Sequence, residues 1–275
     1  DVEATDVEWL WYRRIPMGKL SLLVGDPGGG KSFLSLYMIS RIPGGGTWPD
    51  LPEEEVKKGK VILLTAEDEL ADTVRPRIDA MEGDASKITV VKCTKVEGKI
   101  RSFSLIEDVL KLENLIKEKR NVRAVIIDPL SAYMSSSGKN KIDSYRDADV
   151  RSVLEPFSRL AEEHNLSIIG IMHLNKSTVK AIYRVLGSIG FVGSSRATWL
   201  VVKDRDWKIT DLRFLVGLKL NLTSDPGALA FRITDDKRVI FDGEIYDIDV
   251  EEHLSGERRS TFGKAVEFLT KQFEV

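Results

Sequence analysis

Short apolar runs alternate with amphipathic helical patterns along the first part of the chain. The runs that favour buried core strands are 20–24, 61–65, 88–93, 124–127 and 167–172. The segments with helical spacing between them are 32–42, 70–81, 104–116 and 147–164. Strands that alternate with helices are typical of βαβ units, so the pattern predicts an α/β fold with a mostly parallel central sheet flanked by helices.

The last part of the chain has a different pattern. Strand-like runs follow one another closely at 198–202, 212–218, 228–233 and 239–241. Turn residues such as Asp225-Pro226-Gly227 separate them, which favours antiparallel hairpins at one edge of the sheet. We therefore expect one domain over 1–250. Residues 251–275 are expected to form a charged linker and the start of a helical extension, for which a winged helix is one option.

Several local features predict structural detail. Ser104 and Glu107 have the spacing of a capping box, which predicts that a helix starts at Ser104. Pro156 falls inside the helix of 147–164 and is expected to kink or interrupt it. Cys93 ends an apolar run and is expected to be buried, and as the single cysteine it excludes an intramolecular disulfide. The Gly- and Pro-rich segment 43–59 is expected to be a loop.

The composition is that of a globular protein. Of 275 residues, 42% are hydrophobic and 31% are charged, and 41 Lys and Arg against 43 Asp and Glu give a formal net charge of −2. This balance excludes a protein that attracts nucleic acid through its overall charge, so any such contact must come from local basic loops. No apolar run approaches the ~20 residues of a membrane-spanning helix. The acidic amino-terminal residues do not resemble a signal peptide, and we expect a cytoplasmic protein without membrane contact.

One motif stands out between the first predicted strand and the first predicted helix. The sequence there fits G-x-x-x-x-G-K-[ST], the phosphate loop of nucleotide-binding proteins, whose backbone N–H groups face the phosphates. Lys31 would reach the β- and γ-phosphates of ATP, and the Ser32 hydroxyl would hold Mg²⁺. The other interpretation is a glycine-rich turn without a ligand. We assign to nucleotide binding Gly25, Asp26, Pro27, Gly28, Gly29, Gly30, Lys31, Ser32 and Phe33.

Three further residues follow predicted core strands. Asp128 ends a buried strand, where a phosphate-loop protein places its second Mg²⁺ ligand, although a cap or turn before Pro129 also explains it. Glu67 follows the second strand and could orient the attacking water, unless it is a solvated residue of the first helical turn. His173 could sense the γ-phosphate, or it is simply a residue at a strand end.

Four stretches together resemble the RecA-like ATPases, and more closely the RepA-type branch of the hexameric replicative helicases. They are Gly18-Lys19-Leu20, Ala66-Glu67-Asp68 with Arg75-Pro76-Arg77, Ile127-Asp128-Pro129-Leu130, and His173-Leu174-Asn175-Lys176. The resemblance spans residues 7–243. Residues 175–178 lack the aspartate that guanine recognition needs, which argues against a GTPase.

The resemblance implies a RecA-like fold that forms a ring, with ATP bound between subunits. It implies an ATPase set of Lys31, Ser32, Glu67, Asp128 and His173. It also implies a trans-acting cation from the neighbouring subunit. Lys219 matches the first position of that motif, but Asn221 stands where an arginine is expected. Arg196 and Arg205 are alternative donors, and for each cation the plain alternative is a surface residue.

Two loops are candidates for contact with single-stranded DNA, since loops that follow these strands bind DNA in RecA-like proteins. The first, 135–146, contains Lys139 and Lys141. The second, 174–196, has no acidic residue, and it offers Tyr183 and Phe191 for base stacking besides the cations Lys176, Lys180, Arg184 and Arg196. A solvated loop or a protein-contact loop is the alternative interpretation.

The sequence thus predicts an ATP-binding and ATP-hydrolysing motor, a ring-forming DNA helicase or translocase acting in replication. One alternative is a regulatory or recombination ATPase without unwinding activity. Another is a nucleotide-dependent assembly module with weak hydrolysis.

Overall fold

The computed structural model of the chain describes residues 3–96, 98–134, 143–144, 146–175, 184, 189–204, 212–246, 248 and 250–255. The strands are β1 (Trp9–Trp11), β2 (Ile15–Pro16), β3 (Leu20–Gly25), β4 (Thr47–Trp48), β5 (Leu51–Glu55), β6 (Lys60–Thr65), β7 (Ile88–Val91), β8 (Cys93–Val96), β9 (Lys99–Ser102), β10 (Val122–Asp128), β11 (Ser167–His173), β12 (Ala197–Lys203), β13 (Leu212–Leu220), β14 (Ala228–Ile233) and β15 (Val239–Ile245). The helices are α1 (Lys31–Gly44), α2 (Arg75–Ala80), α3 (Val109–Lys119), α4 (Asp147–Glu163), α5 (Ile189–Ser194) and α6 (Val250–Ser255).

A nine-stranded sheet in the order β15-β14-β13-β12-β3-β11-β10-β6-β7 organises the described residues. The strands from β12 to β7 run parallel to one another. β13, β14 and β15 then continue the sheet as antiparallel hairpins. The predicted mostly parallel sheet with late antiparallel strands at one edge is therefore confirmed.

Helices cover both faces of this sheet. Successive residues of β3 alternate between the faces, so Leu22 belongs to one apolar cluster and Leu23 to the other. The cluster around Leu22 contains the apolar stripes of α3 and α4, and the cluster around Leu23 contains those of α1 and α2. Because both faces of the parallel strands are buried, these strands are continuous apolar runs rather than alternating ones.

The parallel arrangement brings several strand ends to one edge of the sheet. In the β3–β11 pairing Gly25 lies opposite His173. In the β6–β10 pairing Thr65 lies opposite Asp128. The phosphate loop, His173, Asp128 and the residues after Thr65 therefore converge at the carboxyl edge, where open parallel sheets bind ligands.

Helix starts differ from two of the predictions. α3 begins at Val109, so the predicted helix start at Ser104 is wrong; the Asp108 carboxylate before α3 accepts a hydrogen bond from the Ser104 backbone N–H over 2.9 Å. The predicted helix of 70–81 is divided into a π-helical turn, Leu70–Val74, and α2, which has a proline in its first turn. Pro76 suits a helix start because the first backbone N–H groups of a helix need no partner within it.

Two other helical details depend on packing. α4 runs through Pro156 without interruption, since its apolar stripe, which includes Val153 and Phe157, is buried against the sheet. α6 occupies the beginning of the segment expected to be a linker, where Leu254 is buried and the His253 ring lies 5.3 Å from that of Phe214.

Two loop or strand predictions are also corrected. The segment 43–59 holds the end of α1 and the β4–β5 hairpin instead of a plain loop. Cys93 is exposed, because it belongs to the small β8–β9 hairpin and not to the core strand that ends at Val91. Among the described helices, none combines the length and the apolar character needed to cross a bilayer.

Candidate active site

The phosphate loop joins β3 to α1 in a conformation that depends on glycine. Gly28 has φ 69°, a left-handed value that other residues rarely adopt. A Cβ atom at Gly25 would lie 2.2 Å from the Val201 carbonyl oxygen of the neighbouring strand. The loop folds back through a hydrogen bond from the Gly29 N–H to the Asp26 carbonyl, 3.1 Å long, before α1 begins at Lys31. The expected strand, loop and helix are therefore present in order.

Lys31 is buried at the centre of the site. Its ammonium donates hydrogen bonds of 2.8 Å to the carbonyl oxygens of Gly25 and Asp26 and one of 3.2 Å to His173 Nδ1. Burial lowers the pKa of Lys31 to about 8, against the opposing effect of Asp128, Asp26 and Glu67. The group is mostly protonated at neutral pH and is available to a polyphosphate.

Asp128 carries the opposite perturbation. Burial raises its pKa to about 6, the hydrogen bond from Ser32 opposes that rise, and the neighbouring Asp68 and Glu67 add to it. An oxygen pair from Ser32 and Asp128 is the donor set that Mg²⁺ prefers. The residues therefore fit the cation that the phosphate-loop motif implies, and a cation there would relieve the crowding of negative charge.

His173 lies at the end of β11, beside the phosphate loop. The next residue, Leu174, donates its N–H to the Gly25 carbonyl over 3.2 Å, which ties the end of β11 to the start of the loop. Burial and the nearby Lys31 lower the pKa of His173, so the ring is neutral at pH 7. This position suits the predicted γ-phosphate sensor, which stays a prediction.

Glu67 lies in the bend after β6, and β10 separates β6 from β11 in the sheet. Its carboxylate is exposed and close enough to influence the pKa values of both Lys31 and Asp128. The Ala66 N–H donates to the Asp128 carbonyl over 3.1 Å, which links this bend to β10. The position fits the predicted role in orienting water.

Two buried or partly buried arginines at the site were not predicted. Arg213, at the start of β13, packs its aliphatic stem on the phosphate loop: a Cβ atom at Gly30 would lie 2.8 Å from Arg213 Cδ. Arg77 of α2 pairs with Asp68 and stacks on Phe33. In the sequence, Arg77 stood out only as part of the stretch Arg75-Pro76-Arg77 in the family resemblance, and Arg213 only fell within a predicted strand.

The predicted trans-acting cations lie away from the phosphate loop. Lys219 pairs with Thr198 of β12, and Arg196 immediately precedes that strand, so both are near the amino edge of the parallel sheet. The Lys219 ammonium donates to the carbonyl oxygens of Val192 and Ser195 over 2.7 and 2.8 Å, and thereby holds the end of α5. Burial, with the nearby Arg196 and Arg151, lowers the pKa of Lys219.

The predicted DNA contacts are described only in part. Lys139, Lys141, Lys176 and Lys180, with Arg205 and Tyr183, lie outside the described residues. Arg184 is placed differently from the expectation: its side chain is buried and donates to the carbonyl oxygens of Asn175 and Leu254 and to Asp26. Phe191 is also buried, in α5, so the proposed base stacking by this ring is wrong.

These features define a class. A strand, a glycine-rich loop and a helix in register, with an acidic residue ending a parallel strand one position beyond the adjacent strand, are the nucleotide site of a P-loop NTPase on a RecA-like α/β fold. A family model described as an AAA domain matches residues 1–179, and the chain belongs to this family of P-loop ATPases. No curated protein matches the chain.

Proposed function

We propose that the protein is an ATP-hydrolysing motor that assembles as a ring and moves single-stranded DNA, as a replicative helicase or translocase. The observation that carries the proposal is that two sets of candidate residues lie at opposite edges of the sheet. Lys31, Ser32 and Asp128 lie at the carboxyl edge, and Lys219 and Arg196 lie near the amino edge. If Lys219 or Arg196 supplies a cation to a γ-phosphate, that γ-phosphate lies in the site of a neighbouring subunit.

Each group at the carboxyl edge has a chemical task in the hydrolysis of ATP to ADP and phosphate. Lys31 and the loop N–H groups hold the phosphates, and Mg²⁺ held by Ser32 and Asp128 would neutralise charge on their oxygens. Glu67 orients the water and accepts its proton as the oxygen attacks the γ-phosphorus. His173 contacts Lys31 from the next strand and transmits the loss of the γ-phosphate along β11.

Mixed subunits test whether the site is shared. Lys31→Ala removes the phosphate-loop cation but leaves Arg196, the proposed trans-acting cation, intact. Arg196→Ala removes that cation and leaves the phosphate loop intact. If Arg196 acts in trans, each variant alone is inactive, and a mixture recovers a fraction of the wild-type ATP turnover because some interfaces combine two intact halves. Lys219→Met is tested in the same way, with Arg159→Ala as a control at an exposed arginine of α4. Failure of every mixture to recover activity would contradict a trans-acting role.

Single-stranded DNA provides the second test. A motor on DNA hydrolyses ATP faster when DNA occupies its channel, and strong salt dependence is expected of the interaction. Turnover that is stimulated without strand separation by the assembled ring would favour the regulatory or recombination ATPase. Turnover that DNA leaves unchanged would argue against both.

A second candidate is a nucleotide-dependent assembly module with weak hydrolysis. Asn221 stands where the resemblance leads us to expect an arginine, and the Lys219 ammonium is engaged by carbonyl oxygens at the end of α5. This candidate predicts that a non-hydrolysable ATP analogue changes the oligomeric state and that Glu67→Gln leaves the slow turnover unaltered. A marked loss of turnover in Glu67→Gln would exclude it.

A further inference from the structure

The bend that carries Glu67 is anchored on both sides. On one side the Ala66 N–H donates to the Asp128 carbonyl over 3.1 Å. On the other side the Asp68 carboxylate accepts a hydrogen bond of 3.1 Å from Arg77 Nη1. Within the described part of the chain, the Glu67 carboxylate itself has no ion-pair or hydrogen-bond partner. Its position therefore depends on its two neighbours.

Arg77 makes a second contact that leads to the phosphate loop. Its guanidinium lies over the Phe33 ring, 4.1 Å from the ring centroid, and this distance is within the range of a cation–π interaction. Phe33 follows Ser32 in the first turn of α1. Arg77 thus connects the bend that carries Glu67 with the helix turn that carries the predicted Mg²⁺ ligand. Its side chain is 20% exposed and that of Asp68 is 30% exposed.

A neighbouring arginine on the same helix has no such contacts. Arg75 pairs with Asp79 one helical turn away, and both side chains are more than half exposed, at 61% and 51%. Residues two positions apart on a helix face different directions, so Arg75 points to solvent while Arg77 faces α1. The chain therefore contains a matched control for the charge and size of Arg77.

We propose that Arg77 is a positioning residue for ATP hydrolysis, which holds Glu67 in place relative to the phosphate loop through Asp68 and Phe33. The proposal rests on the role given to Glu67 in the proposed function. A positioning residue changes the rate of the chemical step and leaves the binding of the nucleotide nearly unchanged. A residue that contacted the nucleotide would change binding instead.

The first test is Arg77→Ala, measured as ATP turnover and as the Kd of a fluorescent ATP analogue. A displacement of a catalytic group by about 1 Å can cost about 100-fold in rate, so we expect kcat to fall by roughly 10- to 100-fold. KM and Kd should stay within about 2-fold. Arg77→Lys keeps the charge but not the flat guanidinium that stacks on Phe33, so an intermediate kcat is expected.

A double-mutant cycle tests whether Arg77 acts through Asp68. If it does, the variant with both Arg77→Ala and Asp68→Ala should be no slower than the slower single variant, because the second change removes nothing more. Additive losses would overturn the proposed route. Circular dichroism and thermal unfolding check that the variants fold. If Arg77→Ala does not fold, Asp68→Asn provides a milder variant, because it keeps the shape of the Asp68 side chain.

Two comparisons separate this inference from the proposed function. Arg75→Ala should retain wild-type kcat, and an equal loss there would show a general effect of surface charge. If Glu67→Gln is impaired but Arg77→Ala is not, only the role of Arg77 fails. If Glu67→Gln is fully active, the role of Glu67 fails first. A raised Kd with normal kcat in Arg77→Ala would overturn positioning in favour of direct contact with the nucleotide.

Discussion

The Lys31 ammonium donates a hydrogen bond to His173 Nδ1 over 3.2 Å, and this contact links the phosphate loop to the neighbouring strand. An ammonium group has no acceptor site, so Nδ1 is the acceptor and the proton of the neutral ring lies on Nε2. Because Nε2 keeps its N–H, His173 can donate to a phosphate oxygen while Lys31 turns to the same ligand. The predicted role of His173 as a γ-phosphate sensor would use this pair to connect the end of β11 to the nucleotide.

Lys31→Ala should abolish detectable nucleotide binding. The buried ammonium is the phosphate-loop cation, and its loss removes positive charge from beside Asp26, Glu67 and Asp128 where an anionic ligand would bind. The measurement is fluorescence anisotropy of a labelled ATP analogue, where we expect Kd to rise at least about 100-fold for the loss of a charge-assisted contact. Lys19→Ala changes a partly exposed lysine just before the same strand; this variant is the control and should bind normally.

Glu67→Gln should separate binding from hydrolysis. The amide keeps the shape of the side chain but cannot accept the proton of the attacking water, and general-base catalysis contributes about 10²- to 10⁴-fold. We expect single-turnover hydrolysis to slow by that order while the Kd of the ATP analogue stays near the wild-type value. Weaker nucleotide binding with unchanged hydrolysis would contradict the assignment.

Asp128→Asn should make the protein more stable at neutral pH. The pKa of Asp128 is raised to about 6 in the folded state from 3.8, so the folded protein binds the proton more tightly than the unfolded chain. Folding stability therefore falls as pH rises from about 4 to about 6, and the charged form costs about 2 to 3 kcal/mol above that range.

Urea denaturation at a series of pH values measures this effect. The Asn variant should show an advantage in the free energy of unfolding at pH 7 that disappears towards pH 4. Magnesium-dependent nucleotide binding should be lost in the same variant, because a ligand of the proposed Mg²⁺ site is removed. A constant difference in stability across the pH range would show that folding does not raise the pKa of Asp128.

Arg184→Ala should destabilise the fold. The guanidinium donates to the carbonyl oxygens of Asn175 and Leu254 and to Asp26, and it is buried. Removal leaves these acceptors without that donor, at a cost of about 1–3 kcal/mol. Arg159→Ala, at an exposed ion pair of α4, should cost at most about 0.5 kcal/mol. If the two variants unfold at the same urea concentration, Arg184 contributes little to the stability of the fold.

Several features of the site could be predicted from the sequence because they are local. The spacing of Gly25, Lys31 and Ser32 fits a short sequence motif, and the apolar run before it predicts a strand. Asp128 and His173 could be placed at the same edge because parallel strands end together. Strand existence was predicted better than helix starts. The capping-box spacing placed a helix start at Ser104, but α3 begins at Val109, after Asp108, which forms ion pairs with Arg101 and Lys111.

The sequence by itself determined that this chain folds as a P-loop ATPase, because the phosphate loop and the buried parallel strands are written in short, local patterns. Tertiary structure decided what distant side chains do. Arg77 reaches Asp68 and Phe33, Arg184 turns inward to Asp26, and Lys219 holds the end of α5. The physical reason is that an arginine or lysine has a long, flexible side chain, so its partner is set by the packing around it and not by its position in the sequence.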